Sequence, residues 1–290
     1  MIRKLRNLLL LLIAVLLLAG GILIKNNNRQ APTPTKEELA ASLEKAIQYL
    51  ATNRDRVLAQ KDPILLWMIQ ESGGLTKDER LRTMAADYVA ALPGNSPWQY
   101  LFNRDSHAQL RLEILTTLPD YNFHFLYGLT CDDKLGAMEK VQQQNEEGFC
   151  LKNHPLSPVC RTHQLMGLRF MQRRGCGDKP RNAGLVADLQ RKIQTELTWD
   201  PRVVDLYIQR LLMLVESGVP PERVKPVWLC KVLAAQLPDG GWGNFQPLIP
   251  MWKSRAIGFT ARGIGLARPQ STLHATAEGV FLLSLLTAWN

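Results

Sequence analysis

Beyond residue 35 the apolar residues recur with helical spacing. Leu39, Leu43, Ala46, Ile47 and Leu50 fall at i, i+4, i+7, i+8 and i+11, which is one face of a helix. Thr35-Lys36-Glu37-Glu38, just ahead of them, has the pattern of a capping box. Stripes of the same period run through residues 63–70, 81–92, 107–118, 163–173, 186–197, 203–216, 224–237 and 273–286. Turn-forming stretches such as LPGNSP and ESGVPPE separate them. Alternation with period two is nowhere long enough to suggest a sheet. The pattern predicts an all-α domain over residues 36–290. Residues 239–271 break the rhythm: they carry few helix signals, several glycines, and Trp242, Phe245, Trp252 and Phe259. They read as a long loop, and loops of this length often act as lids or binding segments.

The N-terminus has a different pattern. Leu8 to Ile24 is an uncharged run of 17 residues. As a helix it would span roughly 25 Å, near the lower limit for a bilayer. Arg3, Lys4 and Arg6 precede it, so the positive-inside rule places the N-terminus in the cytosol and the rest outside. Residues 1–30 are therefore expected to be a membrane anchor with a basic cytosolic flank, and residues 31–35 a polar tether. A cleaved signal peptide, cut near Ala19 and Gly21, is the alternative. Ile22-Leu23-Ile24 extends the apolar run past that point and favours the anchor. Either way, residues 31–290 are expected to be exported, periplasmic or extracellular.

Charge adds little once the anchor is set aside. The formal net charge is +9, but five cations and no acid lie in the first thirty residues. The other 30 basic residues face 26 acidic ones. That mild excess, without a basic run or an RNA-type aromatic motif, argues against a nucleic-acid partner. The expected partners are the membrane, through residues 8–24, and an envelope protein or a glycan or lipid ligand.

Export changes how the cysteines read. Cys131, Cys150, Cys160 and Cys176 cluster, while Cys230 stands apart. In an oxidising compartment four clustered cysteines point to two disulfides. Three connectivities are possible, and Cys150–Cys160 within Cys131–Cys176 is favoured. Cys150, His154, Cys160 and His163 also have zinc-ligand chemistry, at a spacing that fits no known zinc motif. Neither a metal nor a cofactor is expected.

Two regions match at an offset of 145 residues. Leu66, Met68, Glu71-Ser72-Gly73, Ala90 and Leu92-Pro93 fall on Leu211, Met213, Glu216-Ser217-Gly218, Ala235 and Leu237-Pro238. That is eight identities over residues 66–93, where chance gives about two. The unit reads as a helix, a Glu-Ser-Gly stop, a second helix and a Leu-Pro turn. Repeated helical hairpins stack or close into rings. His107, His163 and His274 each open a helical stripe, 56 and then 111 residues apart.

Gln236, Asp239, Gly240, Gly241 and Trp242, followed by His274, Thr276 and Ala277, carry a resemblance. The stretch 224–286 resembles a repeat of the terpenoid cyclase and protein prenyltransferase α/α-toroid superfamily. The resemblance implies a toroid-like ring of helical hairpins over residues 36–290. It also implies that Gln236 and Trp242 tie one helix to the next. The family's catalytic signatures are missing: there is no Asp-x-Asp-Asp and no Asp-x-Cys in the chain. The resemblance is thus one of fold, and fold alone does not confer function.

The candidate chemistry lies with the histidines. At a helix N-terminus the dipole disfavours the imidazolium, leaving a neutral base. Glu278 follows His274 by four residues, on the same helix face, and Glu113 follows His107 by six. His107, His163, His274 and Glu278 are the candidate acid–base set. Trp242, Trp252, Arg255 and Arg262 are the candidate binding residues. The expected function is a membrane-anchored exported module that binds an envelope ligand or partner protein. The alternative is an exported enzyme acting on a glycan or lipid-linked substrate in a central cavity.

Overall fold

The computed structural model describes residues 2–103, 105–106 and 118–289. The candidates His107 and Glu113 lie outside the described residues, as does most of the stripe 107–118. Among the described residues, α1 (Ile2–Asn27) is a long apolar helix, followed by α2 (Lys36–Thr52), α3 (Arg54–Ala59), α4 (Pro63–Thr76) and α5 (Glu79–Ala91). Next come the short α6 (Gln99–Phe102) and then α7 (Asp120–Thr130), α8 (Asp133–Gly136), α9 (Glu139–Gln144) and α10 (Phe149–Asn153). The longer α11 (Cys160–Arg174), α12 (Lys179–Trp199), α13 (Asp205–Glu216), α14 (Pro226–Ala234) and α15 (Leu273–Ala288) complete the helices.

The C-terminal helix is the hub. α15 is apolar on nearly every side, the signature of a helix covered all round. It packs against α2, α4 and α13. The Thr272 hydroxyl caps its start by accepting from the Ala275 amide. α4 and α13, the two helices matched by the 145-residue offset, therefore flank the same element. A second layer pairs α7 with α11, and α11 with α12. The capping box at Thr35 and Glu38 forms as the sequence predicts.

The expectation of an all-α chain is corrected between α14 and α15. Residues 245–267 form a three-stranded antiparallel sheet, β1 (Phe245–Pro250), β2 (Ala256–Thr260) and β3 (Gly263–Ala267), in the order β1-β2-β3. Glycines at 258, 263 and 265 depress strand propensity and masked the alternation. A second correction concerns Glu71-Ser72-Gly73. The helix does not stop there: the Ser72 hydroxyl donates to Met68 O at 2.7 Å, and α4 runs on to Thr76, ending where Lys77 adopts φ 62°. The second copy does end, at Glu216.

The Gln236–Trp242 turn answers to local chemistry. Gln236 Nε2 donates to Ser42 O and Gly240 O, each at 2.8 Å, and its Oε1 accepts from the Ser42 hydroxyl. Gly240 sits at φ 91°, where a side chain is strained. The Trp242 ring is buried, with Nε1 donating to Val232 O at 2.7 Å and its backbone N donating to Thr276 Oγ1 at 3.1 Å. It lies flat against Gly279, where a Cβ would come within 2.6 Å of the ring. Gln236 thus ties α14 to α2, and Trp242 ties the turn to α15.

The sulfurs pair as Cys131–Cys176 and Cys150–Cys160, leaving Cys230 free. The second disulfide takes both thiols away from the zinc-type set around His154 and His163.

The end of α1 is plugged into the domain. Asn27 is fully buried, and its amide donates to Leu197 O. Its Oδ1 accepts from Tyr207 Oη at 3.0 Å and Lys231 Nζ at 2.9 Å, and its backbone O accepts from Trp228 Nε1 at 3.1 Å. Asn28 adds bonds to Thr198 O and Lys225 Nζ. Pro34 is buried, and Pro32 O accepts from the Cys230 thiol.

Candidate functional site

A cavity of about 390 Å³ opens between the starts of α4, α7, α11 and α15. Two of the predicted histidines meet there. His163, in the first turn of α11, and His274, at the second position of α15, both line it together with Glu278. They are close enough that charge on His274 disfavours protonation of His163. The walls are aromatic and apolar, with Trp98, Tyr121, Phe125 and Met166. Tyr121 stacks on the His163 ring at 4.3 Å, and Phe125 meets it edge-on at 6.1 Å. Polar groups converge from Asp62, Asn122 and Gln209.

Sequence explains each position locally. Asp62-Pro63 is a helix start: Asp62 Oδ1 accepts from the Ile64 and Leu65 amides, and proline fits the first turn. That brings the Asp62 carboxylate to the rim. Tyr121 and Phe125 lie four residues apart on α7, so they share one face. Gln209 is fixed by the Thr162 hydroxyl, which donates to its Oε1 at 2.6 Å.

Electrostatics set the protonation states. Glu278 is fully buried, and desolvation raises its carboxyl well above the usual carboxylate range. Asp205 and Asp62 push the same way, and a hydrogen bond from Gln209 opposes them. Its Oε2 has no partner, while Oε1 lies 3.6 Å from His274 Nδ1. Burial also lowers the His163 imidazole to about 4, with His274 as the second cause. The floor therefore holds a carboxyl that keeps its proton to higher pH than usual, beside an imidazole that is neutral at pH 7. His274 itself is half-exposed to the cavity.

The other candidates lie elsewhere. Trp242 is the buried joint between α14 and α15, and Trp252, Arg255 and Arg262 sit on the exposed side of the sheet segment. The described lining of the cavity includes nothing from residues 239–271, the segment read as a lid or a binding segment. Tyr121, Phe125, Gln209 and Asp62 escaped the sequence reading. DYNFHFLYGL, with its aromatic residues spaced by helical intervals, was the signal for the first two.

A further histidine, His124, is buried in α7, with Nε2 2.9 Å from Asn145 Oδ1 and Nδ1 unpartnered. Burial lowers it to about 4 as well. Among the described residues no group of three or more His, Cys, Asp or Glu is placed to hold a metal. Compared with protein-family models, curated proteins and solved structures, the chain matches none.

Proposed function

We propose that this chain is a membrane-anchored, exported module that takes an envelope ligand, a neutral glycan or a lipid-linked headgroup, into the His163–His274–Glu278 cavity. α1 is long and apolar enough to cross a membrane by length and composition, and two disulfides suit an oxidising exterior. The helical domain is read as toroid-like. The packing of the offset-matched helices α4 and α13 on α15 supports that reading.

The observation that carries the ligand reading is the composition of the cavity. Aromatic walls suit the apolar faces of a sugar or a lipid headgroup linker, and uncharged donors suit its hydroxyls. Glu278 Oε1 lies on the Nδ1 side of His274, which leaves Nε2 as the ring nitrogen for the ligand. The test is titration calorimetry of the full chain in detergent with neutral gluco- and chito-oligosaccharides. Binding that falls tenfold or more in His274→Ala, with the melting temperature unchanged, is the expected result. An affinity for every sugar unaffected by His274→Ala would remove the cavity from the argument.

A second reading, acid–base catalysis on such a ligand, is favoured by one observation: a buried carboxyl that holds its proton beyond the usual carboxylate range, next to a half-exposed histidine, is a proton source. Closing the 3.6 Å gap between Glu278 Oε1 and His274 Nδ1 on ligand binding would connect it to the cavity. Product release from the same oligosaccharides, lost in Glu278→Gln while binding is kept, distinguishes this reading from simple binding.

A further inference from the structure

The sheet inserted between α14 and α15 has one face that its fold leaves uncovered. Residues paired across antiparallel strands share a face. Ile249 pairs with Ile257, Ile257 with Leu266, and Phe259 with Ile264, so these five apolar side chains form one surface. Ile249, Ile264 and Leu266 are 56%, 72% and 49% exposed, and Trp252 in the β1–β2 turn is 66% exposed. On the opposite face Ala256 and Gly258 are buried, while their β1 partners Pro250 and Pro247 are exposed. Such a patch marks an interaction surface.

The position of the sheet identifies what it meets. Phe259 shares a shallow groove with Gly20, Leu23 and Ile24, the last turns of the apolar run in α1, and with the exposed Trp199. At Phe259 the apolar face thus comes beside α1, with Glu196, Asp200, Arg202 and Arg210 lining the same groove. The relation is rigid on both sides. Asn27 is locked into α12, α13 and α14, while Arg202 Nη1 donates to Ala261 O at 2.9 Å and Gln246 Oε1 accepts from the Val203 amide at 2.7 Å. Charge agrees: between Asp239 and Glu278 the chain has no acid, but it has Lys253, Arg255, Arg262 and Arg268. In β3 two of these frame the apolar row, as Arg262, Ile264, Leu266 and Arg268 alternate outward.

We propose that this sheet is a membrane-resting platform. Its Ile249–Ile264–Leu266 face lies in the headgroup region of the bilayer that α1 crosses, with Trp252 at the interface and the flanking arginines on anionic lipid phosphates. Tryptophan favours that depth, and each cation near an anionic surface adds to binding. The platform fixes the orientation of the whole domain, and with it the height of the cavity above the lipid. The inference rests on α1 being a retained anchor.

The experiment uses the full chain with Cys230→Ser, reconstituted in phosphatidylcholine vesicles with or without phosphatidylglycerol. A thiol-reactive fluorophore is placed by Ile264→Cys, by Leu16→Cys within α1, or by Asn95→Cys in an exposed turn, and a doxyl-labelled lipid serves as quencher. Fluorescence at 264 and 16 should be lost on adding the quencher, while that at 95 is kept. The loss at 264 should weaken without phosphatidylglycerol and in Arg255→Gln/Arg262→Gln. Quenching at 16 without quenching at 264 overturns the platform and leaves the anchor standing. No quenching at 16 removes the anchor and the platform together. Quenching at 264 that vanishes when vesicles hold a single chain assigns the face to a second copy instead, and also overturns the proposal.

Discussion

Two buried histidines and one buried carboxyl pull stability in opposite directions with pH. His124 and His163 each titrate at about 4 in the fold, against an ordinary imidazole value of 6.5. Between those values the unfolded chain binds more protons. Their contribution is complete above 6.5 and is lost as pH falls toward 4, at up to about 1.4 kcal/mol per pH unit for each histidine. Glu278 has the reverse sign. Its folded carboxyl titrates above the ordinary 4.5, so the native state holds the extra proton and stability declines as pH rises past 4.5. Denaturant unfolding should therefore show Glu278→Gln equal to the parent near pH 4 and more stable than it at pH 7. Equal curves at both values would mean that the carboxyl is ionised in the fold. Trp242 is a purely packing case. Trp242→Ala empties the space above Gly279 and frees the Val232 carbonyl, and should cost about 3–5 kcal/mol without changing ligand affinity. A loss of affinity at unchanged stability would return Trp242 to the binding site.

At the level of elements, cross-links and sockets decide which segments move together. The Cys150–Cys160 bond closes a short loop and should contribute about 2–3 kcal/mol. Thiol counting on denatured, unreduced protein should find one free cysteine, Cys230; finding five would remove both bonds. The α1 socket is a comparable joint made of polar groups. Asn27→Ala leaves the Tyr207 hydroxyl and the Lys231 ammonium without their buried partner, which should lower the unfolding free energy by about 1–3 kcal/mol. An unchanged midpoint would mean that α1 is hinged at this point rather than plugged in.

For the whole molecule, the proposed topology is tested by the far end of the chain. Reporters fused after Asn290 should be active only outside the cytosol, the orientation that the cations before Leu8 predict. Cytosolic activity would reverse the topology and with it the compartment in which the disulfides form. Much of this scale is readable in the sequence, and for definite reasons. The apolar run of α1, the cysteine cluster and the helical stripes are local or compositional patterns. They survive whatever the tertiary contacts do, and the stripes at 63–70, 163–173, 186–197 and 273–286 all fall within helices. The pairing of His274 with Glu278 was readable too, since four residues on a helix bring two side chains together. The convergence of His163 on that pair was visible only as a spacing, because the two helices sit 111 residues apart and meet through packing around α15. The aromatic wall from Tyr121 and Phe125 went unread, since α7 belongs to a run of short helices without a sustained stripe. The sheet was hidden because its strands are too short and too rich in glycine to show alternation, and they form only by pairing with one another. What the sequence alone determined was the apolar N-terminal helix, the cysteines available to pair and the helical nature of the domain, each a property of neighbouring residues. What only the tertiary structure decided was the cavity, the burial that raises the Glu278 carboxyl and the apolar sheet face beside α1. All three arise from burial, and burial is imposed by groups far away along the chain.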